Sequence, residues 1–592
     1  MDADRFTLDI LREAFLAVAD EMFVSLQRTS QSPVIYEVLD FAVGLTDPSG
    51  ELVSQGNGVA GFLGPLGDLV GAARRHFGTL EPGDVVLSND PYDGGGTHLS
   101  DMGMVRPVYL ADELVGYAVA KAHWTDVGGK NPGSWGTDAT DVYQEGVLLP
   151  FVRGWSGGHV NEEVVRLVAG NSRLPDQAVG DMRAQAACLE VADRRVQELC
   201  RRYGVGTVQR AMREVLDRSE HLARATLAKL PHGVFFAEDL ADGDGLGNGP
   251  FPIRVTVEIG SEGMHCDFTG SHSQVVGPIN CTRSGLVSGV RTVFKAVTDP
   301  HEPATDGWFR PLRVTCPAGT LFTAQRPAAV GAYFESTEIA SDLVWKALAP
   351  VCSERLSAGH FLSVCSTSLT GLHPGSGATA LLVEPHAGGW GASIDADGEN
   401  GLVSVGDGET YVIPVEIAEQ RYGFLRVDRF GLDVTSRAGA GRRRGGLGLV
   451  REYRIVGDEA LLTVAMGRHD ELPWGVSGGA PGSANYVEII GADGSSSGRF
   501  GKVTAMRLRH GDVVRIVTGA GGGWGDPAGR DPALVSADVD DGYVDPSDVA
   551  ETYGGEVPSL RRPSLRRPSS PRSADSSLGA FPRPGDSGRS GA

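Results

Sequence analysis

The sequence predicts an α+β protein: one large, interwoven mixed α and β unit, a β-rich C-terminal region and a disordered tail. Three observations predict it. Apolar residues recur at helical spacing near the N-terminus and again over 159–230. Alternating, β-branched segments bounded by turn residues recur within 34–55, 85–122 and 233–275. From 375 to 525 the chain reads as mostly β, punctuated by glycine runs.

Residues 7–30 form the first expected helix, because Leu11, Phe15, Val18, Met22 and Leu26 share one face. Residues 34–47 and 51–55 read as two strands around a turn at Asp47-Pro48-Ser49-Gly50. A helix is expected near 66–78, then a short buried strand at Val85-Val86-Leu87. Segments 103–110 and 114–122 form a hairpin turning at Asp112-Glu113. Helices follow at Asp176–Arg202 and Gly206–Leu230, strands at Ile253–Val257 and Met264–Phe268, and helices at 284–298 and 338–350. The runs Gly439–Gly448 and Gly519–Gly525 read as turns. This divides the chain into 1–232, 233–374 and 375–555, followed by 556–592. That last stretch repeats Ser-Leu-Arg-Arg-Pro and is too poor in apolar residues to bury a core.

The composition narrows the function. A net charge of −22 repels nucleic acid and anionic membranes, so neither is expected as a partner. No run of 18 apolar residues marks a membrane span, and no signal peptide is visible. Seven scattered cysteines without a CxxC argue against a disulfide framework or structural zinc, and a cytoplasmic protein is expected. There is no P-loop. The GxSxG matches around Ser156, Ser477 and Ser496 lack the strand-then-helix context of a nucleophile elbow.

The chemistry concentrates in Asn89–Asp101, where His98 and Asp101 follow a glycine run, and in Lys121–Gly129, which contains His123. Two imidazoles and a carboxylate on short segments suit a divalent metal with open coordination positions. The hairpin between them returns both groups to one end of a sheet. Asp40, flanked by Leu39 and Phe41, is a possible fourth ligand, since a carboxylate there is costly to bury unpaired. The alternative is that His98 and Asp101 cap turns and Asp40 pairs with an arginine. Asp126, Asp138 and Glu145 are either solvated loop carboxylates or a general base or orienting partner for a ligand histidine. Arg442-Arg443-Arg444 could grip an anion, form a solvated turn or sit in a salt-bridged interface, and Gly519–Pro527 favours a structural turn over an anion site.

Several ordered stretches together resemble the hydantoinase B/oxoprolinase family. They include Asn89-Asp90-Pro91-Tyr92, Gly95–Asp101, Ala122-His123 through Gly129, Tyr143–Gly146, Gly180–Gln185, Gly277–Asn280, Arg442–Gly448 and Gly521–Pro527. The resemblance runs from about residue 5 to about 553. It implies a metal held by His98, Asp101 and His123, with Asp40 as a fourth ligand; manganese, iron or zinc would serve. It also implies a hetero-oligomer with a kinase-like hydantoinase A subunit, which uses ATP to activate a cyclic amide for hydrolysis here, with Asp126 or Glu145 as base or orienting group. Two other readings remain open: a subunit of an acetone- or acetophenone-type carboxylase, and a non-catalytic scaffold with a structural metal. Many relatives carry a His-x-Pro-x-His segment where this chain has Gly56–Gly64, and two adjacent histidines where it has His123-Trp124. Both departures are expected beside the substrate.

Overall fold

The computed structural model describes residues 5–62, 64–408 and 410–554. The Arg-, Pro- and Ser-rich tail from 556 lies outside the described residues.

The N-terminal part runs α1 (Arg5–Thr29), α2 (Pro33–Tyr36), β1 (Phe41–Thr46), β2 (Leu52–Gln55), α3 (Pro65–Phe77), β3 (Val85–Ser88), β4 (Asp101–Leu110), β5 (Glu113–His123), β6 (Val152–Ser156), β7 (His159–Val160), α4 (Glu162–Asn171), α5 (Pro175–Tyr203) and α6 (Val205–Leu227). Its seven strands form one antiparallel sheet in the order β2-β1-β5-β4-β3-β6-β7. The face of α1 read from the sequence is buried: Leu11, Phe15, Val18, Met22 and Leu26 all pack inward. Helices α1 and α5 cover one side of the sheet and α3 the other. Burial on both faces explains why β1 and β5 read as nearly continuous apolar runs. One expectation fails here. Residues 34–40 are not strand, because Pro33 opens the short helix α2 and Leu39 then takes a left-handed backbone (φ 65) before β1 begins.

The central part contains β8 (Gly233–Ala241), β9 (Phe251–Gly260), β10 (Gly263–Asp267), α7 (Arg283–Thr298), α8 (Asp306–Phe309), β11 (Leu312–Thr315) and α9 (Tyr333–Leu348). Its sheet runs β11-β10-β9-β8, with the one parallel pair at β10 and β11. Helix α9 packs on α7 and on β8 and β9. It is buried nearly all round, Glu335, Glu338 and Asp342 included.

The C-terminal part contains β12 (Ser366–Leu372), β13 (Thr379–Glu384), α10 (Val415–Tyr422), β14 (Leu425–Leu432), β15 (Leu449–Ile455), β16 (Glu459–Ala465), β17 (Tyr486–Ile490), β18 (Ser496–Phe500), β19 (Lys502–Arg509), β20 (Val513–Val517), α11 (Pro532–Asp540) and α12 (Val549–Tyr553). Two antiparallel sheets result, β13-β12-β16-β19 and β14-β15-β20-β17-β18.

The glycine runs are not turns. Residues 439–448 and 519–525 are buried segments bonded to each other through their backbones: Gly439 N donates to Gly521 O (2.9 Å), and Gly521 N donates to Gly446 O (2.9 Å). A Cβ on Gly445 would overlap the Gly521 carbonyl oxygen, so the segments pack closer than any side chain permits. Arg444, at the edge of this array, is buried and paired with Asp538 of α11 (2.9 Å), which Arg530 also binds (2.6 Å). Of the arginine run, Arg444 is therefore a salt-bridged contact, while Arg442 is exposed. Among the described residues, no helix is long and apolar enough to cross a membrane.

Candidate metal centre

The sheet brings the predicted ligands together by register. Asp101 opens β4 and His123 closes β5, and the two are direct cross-strand partners. Phe41, the first residue of β1, pairs with Ala122, so Asp40 arrives at the same sheet end, and His123 N donates to Asp40 O (3.1 Å). His98 stands on the loop before β4. That loop needs its glycines: Gly94 and Gly95 have φ of 65° and 85°, and a Cβ on Gly96 would overlap the Asp90 carbonyl oxygen.

Three side-chain atoms converge. His98 Nε2 lies 2.9 Å from Asp101 Oδ1 and 3.2 Å from His123 Nδ1, and His123 Nδ1 lies 3.2 Å from Asp101 Oδ1. Asp40 Oδ2 is 3.7 Å from His123 Nδ1. His98, Asp101 and His123 could hold a metal ion. Their donor set fits one. Ligand bonds of about 2.0–2.2 Å place neighbouring donors about 2.9–3.4 Å apart. His98 Nδ1 is 2.9 Å from the carbonyl oxygen of Gly331, to which it donates, so Nε2 presents a lone pair to the cluster. The other Asp101 oxygen accepts from Thr97 Oγ1 (2.5 Å) and from Tyr333 Oη (2.9 Å), which fixes the carboxylate plane.

The electrostatics match. Burial works against ionisation of Asp101, but His98 and His123 overcome it and hold its carboxyl well below the usual range. Partial burial pushes the Asp40 carboxyl up against the pull of His123. Lys121 lies behind the cluster, donating to Gly95 O (2.9 Å) and resting over the Phe62 ring. Burial draws its ammonium down to about 8, against the pull of Asp101 and Asp40. The cluster forms part of the wall of a cavity otherwise lined mainly by valines and aromatic rings, with Glu384 and Asp407 as further acids.

Comparison with known proteins places the chain. Residues 4–527 match the model of the hydantoinase B/oxoprolinase family. The chain belongs to that family. The caprolactamase subunit beta of Pseudomonas jessenii is 30% identical over 93% of this chain and 96% of its own length. The crystal structure of ATP-dependent caprolactamase from the same organism superposes with a TM-score of 0.88 at 29% identity, covering 94% of this chain and 97% of that one. 5-Oxoprolinase 1 of Arabidopsis thaliana is 29% identical over 88% of this chain, which corresponds to 42% of that longer protein. Acetone carboxylase shares the fold, with a TM-score of 0.86 at 17% identity over 93% of this chain and 80% of its own.

The remaining predicted residues of this hydantoinase B/oxoprolinase chain are placed differently. Asp126 does not face the cavity. Its buried carboxylate accepts from Arg173 Nη1 (3.0 Å) and from the backbone N–H groups of Gly128, Gly133 and Arg173, which ties down the loop after β5. Glu145 is also buried. It accepts from Val330 N (3.0 Å) and Gly331 N (2.7 Å), the same Gly331 whose carbonyl holds His98. Trp124 does not line the cavity: it is buried in the core just past β5, where its Nε1 donates to Gln185 of α5 (3.0 Å). Of the Gly56–Gly64 segment, Val59 lines the cavity.

Sequence reasoning missed Tyr333, Glu384 and Asp407. Tyr333 and Asp407 stand 232 and 306 positions beyond Asp101, so neither shares a local motif with it. Gly331-Ala332-Tyr333-Phe334 has no ligand spacing to betray its role. Thr97 lay inside the recognised motif without a role assigned to it.

Proposed function

We propose that this chain is the metal-bearing subunit of an ATP-dependent cyclic-amide hydrolase, working with a kinase-like partner that phosphorylates the amide. One observation carries the reading: His98 Nε2, Asp101 Oδ1 and His123 Nδ1 converge at the wall of a cavity, with Asp40 beside them. The similarity to a caprolactamase subunit over nearly the full length of both chains supports it.

His98, Asp101, His123 and Asp40 would hold a divalent ion of manganese, iron or zinc. When bound, that ion supplies Lewis-acid polarisation of the reacting carbon's oxygen substituent. The chain's own residues do the rest. Thr97 and Tyr333 hold Asp101 in place, and Glu145 holds the Gly331 peptide that orients His98. Neither Asp126 nor Glu145 lines the cavity. Asp407 does, with Oδ2 accepting from Thr410 (3.1 Å), and its carboxylate would serve as the base that takes a proton from attacking water. The valine and aromatic walls exclude competing water.

The test is reconstitution with the kinase-like partner. Lactam hydrolysis should require ATP and a divalent metal, and His98→Ala and His123→Ala should each lose both metal and turnover. Full activity in either variant would sink the assignment. A requirement for bicarbonate would move the protein to the carboxylases.

A further inference from the structure

Opening an activated ring poses a problem of direction. In the hydrolase reading, the partner places a phosphoryl group on the amide oxygen and leaves a C=N bond whose nitrogen keeps its hydrogen. Water adds to the carbon, one water proton passes to Asp407, and the C=N electrons return to nitrogen. That carbon then carries a hydroxyl, the phosphoryl oxygen and the ring nitrogen. Loss of phosphate re-forms the intact ring and consumes ATP without product. Nitrogen departs instead only if it is protonated, because an amine is a very poor leaving group as its anion.

Among the described residues that line the cavity, one acid is left to give that proton. Asp40 and Asp101 belong to the metal cluster, Tyr333 donates its hydroxyl to Asp101 (2.9 Å), and Asp407 takes the proton of water. Glu384 ends β13 and lines the same cavity. Its Oε2 accepts from Ile413 N (3.0 Å), and its buried Oε1 has no hydrogen-bond partner among the described residues. Burial pushes its carboxyl up from 4.5 to about 7, against the pull of Arg451 and the Ile413 N–H, so it keeps a proton into the neutral range. The charge left after transfer is also provided for. Arg451 Nε lies 3.5 Å from Oε1, and neither Nε nor Nη1 of Arg451 is hydrogen-bonded among the described residues. His386 Nε2, also unbonded there, is 4.0 Å from the same oxygen.

We propose that Glu384 is a catalytic acid that protonates the ring nitrogen and so commits the activated amide to opening, a role that rests on the hydrolase reading above. The proton moves from Oε1 to nitrogen, and the C–N bond breaks with its electron pair going to nitrogen. The hydroxyl becomes the carbonyl of an acyl phosphate, and its proton leaves on the freed amine as ammonium. A second water converts the acyl phosphate to carboxylic acid and phosphate. Asp407 ends protonated and Glu384 ionised, and proton exchange with solvent resets both.

The test measures coupling. The reconstituted complex receives metal, ATP and, in turn, 2-pyrrolidinone, ε-caprolactam and 5-oxoproline, and phosphate release and ring-opened product are both measured. Glu384→Gln keeps an oxygen for Ile413 N. In it, ring opening should fall about 100-fold or more while lactam-dependent phosphate release persists. A structural role would lower both together, so a proportionate fall, or no fall, would overturn the inference. Should this variant lose its fold, the parent carries the test. Its phosphate released per ring opened should climb as pH rises from about 6 to about 9 and Glu384 loses its proton among Arg451 from β15, His386 after β13 and Tyr422 from α10. A ratio independent of pH would overturn the role. A parent complex that opens none of the three rings would defeat the hydrolase reading itself, and the role with it.

Discussion

At the residue scale, the site depends on groups that would never touch a metal. Glu145 acts on His98 through one peptide: its carboxylate takes the Gly331 N–H, and the Gly331 carbonyl takes His98 Nδ1–H. Glu145→Gln puts an amide where two N–H donors converge, and it should weaken metal affinity about 10- to 100-fold, as measured by chelator competition. Unchanged affinity would remove Glu145 from the site. Glu338 makes a different point. Buried on α9, it accepts from Ser404 Oγ (2.8 Å) and Gly406 N (2.9 Å), the turn that carries Asp407. Burial outweighs those bonds and pushes its carboxyl up from 4.5 to about 8. The folded state therefore keeps a proton that the unfolded state releases above pH 4.5. Its contribution to stability is complete below 4.5 and is lost progressively as pH rises toward 8. Glu338→Gln, neutral at every pH, should gain in melting temperature relative to the parent between pH 5 and pH 8. A constant difference across that range would count against the shift.

At the element scale, two constructions matter. The first is the antiparallel register β1-β5-β4, which sets Asp40, His123 and Asp101 side by side at one sheet end. The second is the glycine array, where 439–448 and 519–525 exchange backbone bonds at separations that only glycine allows. Gly445→Ala would drive a methyl into the Gly521 carbonyl, at a cost on the order of 3 kcal/mol. A melting temperature matching the parent would show that the segments can part freely. Gly78, with open space around its Cβ position, is a useful comparison for composition, although its φ of 68° adds strain of its own.

At the scale of the whole molecule, the three parts meet at the cavity. Asp40, His98, Asp101 and His123 come from the N-terminal part, Tyr333 and Phe334 from α9, and Glu384 and Asp407 from the C-terminal part. All four proposed ligands lie in one chain, so the isolated chain should retain about one divalent ion after purification, measured by elemental analysis. A chain that takes up metal only with its partner would place a required ligand outside it.

Much of this was legible in the sequence. The spacing of Leu11, Phe15, Val18, Met22 and Leu26 determined α1, because burying a helix needs one apolar stripe. The hairpin between Asp101 and His123 determined that both reach one sheet end, because an antiparallel pair returns the chain to its start. What only the tertiary structure decided are the relations that no local pattern encodes. Tyr333 meets Asp101 from 232 positions away, and Asp126, alike in motif to a base, is consumed by Arg173 and three backbone amides. The glycine runs, alike in composition to turns, instead pack backbone against backbone. Local sequence sets periodicity and backbone freedom. Which buried polar groups pair with which is set by the packing of distant segments, since each must find a partner wherever the fold provides one.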